Sequence, residues 1–93
     1  MKEIYSTQYL ELARISKEIL VLSRTLNQVK TGQEITELDA QNLSRKKREI
    51  EHKIQTEGDE LNTLVYDALT KQIQMIDKVL FSYLLSHPES GVN

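Results

Sequence analysis

The densest run of chemistry-bearing side chains in this sequence is Arg45-Lys46-Lys47-Arg48. Four consecutive cations can meet phosphate or an acidic partner. On a helix, however, successive residues point in four directions, and only Arg45, Arg48 and His52 share a face. The same segment pairs Arg45 with Glu49, Lys47 with Glu51, Glu49 with Lys53 and Lys53 with Glu57 at i,i+4 spacing, which is expected to neutralise much of the cluster in place. Arg45, Arg48 and His52 are therefore the candidate phosphate or acidic-partner contacts, and a nucleic-acid-associated regulator is the alternative they support.

Other catalytic and metal-binding patterns are absent. His52 and His87 are the only histidines and there is no cysteine, so neither an HExxH pair nor a thiolate zinc site can be assembled. His52 lacks the nearby glycine that a phosphotransfer helix would place behind it. The serines are scattered, with no nucleophile elbow and no Ser/His/Asp arrangement. No glycine-rich phosphate loop occurs. No catalytic, cofactor-binding or metal-ligating residue is assigned, and the expectation is a non-enzymatic protein.

A further enzymatic alternative rests on residue types. Arg14 and Arg24 lie on the first helical stretch, Lys30 near its end, Arg48-Glu49 on the second and Gln72 on the third. This set is similar to the one with which all-helical chorismate mutases bind a dianion, and the likeness implies a pocket where Arg14, Arg24 and Arg48 converge. Arg24 and Lys30 stand closer together than that pattern has them.

The elements that must carry these side chains are helices. The chain has 93 residues, enough for one domain. Hydrophobic residues make up 39%, charged residues 28% and aromatics 5%, with three glycines and one proline. So few aromatics and turn residues oppose a β-rich fold. The formal net charge is -2, which removes the general basic field of a nucleic-acid binder. The longest aliphatic run, Ile19 to Leu22, is far below the ~20 residues of a membrane span, and no signal-peptide core is visible. A cytoplasmic protein without membrane attachment is expected.

Gly32, Gly58, Pro88 and Gly91 divide the chain. Between them, helices are predicted over about 3–30, 37–57 and 60–86, forming one domain over 1–87, with 88–93 as a frayed tail. The first carries Tyr5, Leu12, Ile19 and Leu26 seven apart, with Ile15, Leu22 and Val29 completing an a/d seam around Gln8. Gly32 suits a left-handed helix end. Thr36 and Asp39 form a capping box. The second helix buries only a narrow stripe of Leu43, Ile50 and Ile54. The third is apolar around half its circumference. The helical phase also survives Gly58, so a continuous second–third helix competes with a break in which Asp59 caps the third helix.

The expected architecture is all-α: an antiparallel three-helix bundle or coiled-coil hairpin, oligomeric because it has more apolar surface than it can bury. Leu10, Leu20 and Val21 fall off the first helix's seam, and Tyr66, Phe81 and Leu85 off the centre of the third. These six are the candidate partner-binding residues for another protein's helix or a second copy. The format is that of small adaptors, chaperones and regulators.

Overall fold

A computed structural model describes the backbone of residues 2–33 and 35–86 and the side chains of 9–33 and 35–86. The side chains of Tyr5 and Gln8, His87 and the tail 88–93 lie outside the described residues. Three helices follow one another: α1 (Lys2–Lys30), α2 (Glu37–Glu57) and α3 (Thr63–Ser86), with a 3-10 turn at Gly58–Glu60 between the last two.

Local signals set two of the boundaries. At the end of α1, Gly32 has φ +93°, a conformation that costs other residues a Cβ clash. Around it the Gln33 N–H donates to the Gln28 carbonyl at 2.8 Å and the Gly32 N–H to the Val29 carbonyl at 3.2 Å, closing the last turn as a Schellman motif. At the start of α2, Thr36 Oγ1 accepts from the Asp39 N–H at 3.0 Å and Asp39 Oδ2 accepts from the Thr36 N–H at 3.3 Å. Both halves of the capping box are made.

The break between α2 and α3 is real, and one expectation about it is corrected. Gly58 follows the last residue of α2 as its C-cap, with right-handed φ of -55° and ψ of -38°, and its N–H still bonds the Ile54 carbonyl. The chain leaves the helix at Leu61, which is extended (φ -78°, ψ 141°) and packs against the core. The cap of α3 is Asn62, not Asp59. Its Oδ1 accepts from the Leu64 N–H at 2.8 Å, so α3 begins at Thr63 rather than 60. Turning Leu61 inward requires an extended residue, and the next side chain able to cap is Asn62.

Two short connections make α2 antiparallel to its neighbours. The α3 helix is central and packs against both α1 and α2, whereas the backbones of α1 and α2 scarcely approach one another. The core comprises Ile15, Leu22 and Leu26 of α1, Ile50 of α2, and Val65, Leu69, Ile76 and Val79 of α3. A smaller cluster joins Ala40 of α2 to Tyr83 of α3. The a/d seam of α1 is thus the buried stripe, with Leu12 and Ile19 half-buried at its edge. The molecule measures 50 × 23 × 17 Å, its long axis being close to the ~43 Å of a 29-residue helix. No helix among the described residues is long and apolar enough to cross a membrane.

Candidate interaction surface

The six side chains singled out from the sequence are all exposed, from 41% for Tyr66 to 73% for Leu10. They do not form one patch. Leu10 and Val21, eleven residues apart, return to nearly the same side of α1. Leu20 lies on another side of that helix, in phase with the exposed Tyr9. Phe81 and Leu85 are neighbours at i,i+4 near the end of α3. Tyr66 sits at the other end of α3, its ring beside Gly58. Leu38 and Leu64 are also exposed. Leu38 was recognisable as off the Leu43–Ile50–Ile54 stripe, but Leu64 falls within the apolar band of α3 and only packing reveals its exposure.

Beside Phe81 a shallow cavity of about 560 Å³ opens between α2 and α3, lined by Ser44, Lys47, Asp77, Lys78, Leu80 and Leu84. Lys47 Nζ lies 2.7 Å from Asp77 Oδ1 at its edge. The hydrogen bond to Asp77 holds the Lys47 ammonium above the usual lysine range; burial opposes it, and the charges of Asp77 and Glu51 add to it.

The weak approach of α1 to α2 leaves a cleft whose floor is α3. Its deeper part, about 460 Å³, has Val21, Leu22, Leu43 and Ile76 as apolar lining and Arg14, Lys17, Glu18, Lys46 and Gln72 as polar groups. Gln72 is 2% exposed, a buried polar residue within the apolar face of α3. Its Nε2 donates to Glu18 Oε2 at 2.6 Å. The other carboxylate oxygen accepts from Arg14 Nη1 at 3.0 Å and lies 4.0 Å from Lys46 Nζ. A second cavity of about 400 Å³ continues the cleft past Leu43, between Thr25 and Gln28 of α1 and Ile35, Asp39 and Asn42.

The expected neutralisation within α2 is corrected. Lys47 pairs with Asp77 of α3 and Lys53 with Glu11 of α1, rather than with acids on their own helix. Both lysines flank the buried Leu43–Ile50–Ile54 stripe, so they reach across to the neighbouring helices. Lys46 turns to α1. The basic run is therefore divided: Arg45, Arg48 and His52 remain on the exposed side of α2, and none of them has an ion pair among the described residues.

Of the residues behind the chorismate-mutase alternative, Arg14 and Gln72 both line the cleft, while Arg24, Lys30, Arg48 and Glu49 do not, so the expected convergence of Arg14, Arg24 and Arg48 is corrected. No group of three or more His, Asp or Glu able to hold a metal ion occurs among the described residues. Compared with known proteins, the chain matches no family model, no curated protein and no solved structure.

Proposed function

We propose that this chain is a non-enzymatic helical subunit that docks a partner helix, or a second copy, through apolar helix faces. The observation that carries this reading is the contiguous apolar edge at the end of α3. There Phe81 and Leu85, 65% and 69% exposed, adjoin the half-buried Leu80 and Leu84. Isolated exposed apolar residues are ordinary on a protein surface, but adjoining ones along one helix edge mark an interaction face. Leu10 and Val21 lie on one side of α1, ~16 Å apart along the helix with Arg14 and Lys17 between them, and Leu20 and Tyr66 are separate exposed apolar positions.

The test is solution mass by light scattering across a wide concentration range, with cross-linking to partners. Mass should rise with concentration, or a partner should be held. Phe81→Glu/Leu85→Glu or Leu10→Glu/Val21→Glu should abolish one or the other while far-UV circular dichroism stays helical. A monomer at every concentration that cross-links to nothing rejects the reading.

A second reading is supported by the unpaired, outward-facing Arg45 and Arg48 with His52 beside them: a regulator that touches nucleic acid. It predicts retention of DNA or RNA at about 50 mM salt that fades steeply with added salt and is lost in Arg45→Ala/Arg48→Ala. No retention at low salt rejects it.

A further inference from the structure

We propose that the cleft between α1 and α2 is the seat of one kind of partner: an amphipathic helix of another protein whose apolar stripe is flanked by carboxylates. The proposal rests on the reading of this chain as a docking subunit and names the partner's chemistry.

Three observations lead to it. The first is that the bundle is incomplete along this side. The α1 and α2 backbones hardly meet, and the two cavities between them share Leu43 as a common wall. From Arg14 to Gln28 the cleft runs along ~21 Å of α1, the length of a helix of about four turns. A helix laid there would rest on the exposed Val21 and the half-buried Leu43, above the buried Leu22 and Ile76, and convert three helices into four.

The second is the sign of the charge at the mouth. Arg14, Lys17 and Lys46 line the deeper cavity from both walls, with Glu18 as its sole carboxylate; the second cavity adds Asp39, which is held by the Thr36 N–H in the capping box. Glu18 is engaged by Gln72 and Arg14, and Lys17 has no ion pair among the described residues. A chain of net charge -2 thus places a local excess of cations around its apolar groove. Such a field attracts acidic flanks and speeds their association.

The third concerns a second copy as occupant. The Leu10–Val21 edge carries Arg14 and Lys17 between its apolar residues, and the Phe81–Leu85 edge lies next to Lys78 and Asp77, the latter already paired with Lys47. Either edge laid in the cleft would bring lysine or arginine against Arg14, Lys17 and Lys46. A partner with glutamate or aspartate in those places has no such penalty.

The experiment displays a library of 15-residue helices to the intact chain, with a fixed leucine stripe and Glu, Gln or Lys at the flanking positions. Recovered sequences should carry Glu at the flanks, and the best of them should shift the amide resonances of Val21, Leu43 and Ile76. Lys17→Glu, alone and with Lys46→Glu, should weaken that peptide about tenfold or more and recover Lys-flanked peptides instead. Recovery independent of charge, shifts confined to Phe81 and Leu85, or no binder at all overturns the proposal. So does 4-phenylbutyrate giving the same cleft shifts where no peptide binds, which would make this a small-carboxylate site. Concentration-dependent self-association that persists in Lys17→Glu/Lys46→Glu, without cleft shifts, overturns the cleft assignment and leaves the docking reading standing.

Discussion

The Gln72 side chain donates from its Nε2 to Glu18 Oε2 at 2.6 Å, tying the centre of α3 to the middle of α1 beneath the cleft. Gln72 is buried, so Glu18 provides the acceptor its amide would otherwise lack, and Arg14 and Lys46 balance the carboxylate from the solvent side. Glu18→Ala strands that buried donor and should cost about 1–3 kcal/mol in urea unfolding. The double variant Glu18→Ala/Gln72→Leu should cost less than the sum of Glu18→Ala and Gln72→Leu, giving a coupling energy of at least about 0.5 kcal/mol. Additive effects would show that the bond contributes nothing.

Core and edge residues of α3 should separate cleanly in stability. Ile76 is fully buried, so Ile76→Ala should cost about 2–5 kcal/mol through lost burial and a residual cavity. Phe81→Ala and Leu85→Ala, at exposed positions, should stay within about 0.5 kcal/mol at concentrations where the chain is monomeric. Thermal and chemical unfolding of the three variants at low concentration checks both statements.

The two interhelical glycines should respond oppositely to alanine. At Gly32 the φ of +93° opposes any Cβ, and Gly32→Ala should destabilise by about 1–2 kcal/mol. At Gly58 the backbone is right-handed, and an added Cβ would meet the Tyr66 ring at 3.6 Å and Ile54 at 3.9 Å, both ordinary contacts. Gly58→Ala should therefore be neutral or stabilise by up to about 1 kcal/mol. A large loss there would mean that the turn needs a freedom its dihedral angles do not display.

Lys47 links stability to alkaline pH. Its ammonium is held above the ordinary lysine value of 10.5, chiefly by the hydrogen bond to Asp77. A raised folded-state pKa stabilises fully below the unfolded value, and that contribution disappears as pH climbs through the folded one. Lys47→Met should lower stability at neutral pH by less than about 1 kcal/mol, because the pair is partly exposed. The gap between variant and parent should close in strongly alkaline buffer. A gap that is flat with pH would assign the effect to packing of the lysine stem.

Much of this architecture was legible from one dimension. The bounds of α2, the capping box at Thr36 and Asp39, and the left-handed Gly32 depend on groups within a few residues of one another, so their signals are written locally. The periodicity of α1 likewise named its buried stripe, and the off-stripe positions named Leu10, Leu20 and Val21 as exposed. The division of Arg45-Lys46-Lys47-Arg48 was not legible. Whether a helical lysine pairs with its own i+4 acid or reaches another helix depends on which neighbour stands beside it. For Lys47 and Lys53, Asp77 and Glu11 were closer than the acids on α2. Asn62 displaced Asp59 as cap because Leu61 had to enter a core assembled from all three helices. The cleft, too, exists only because α3 takes the central place and holds α1 and α2 apart. No local pattern encodes that choice, since it is the relative rotation of three helices about their axes that determines which apolar stripes meet.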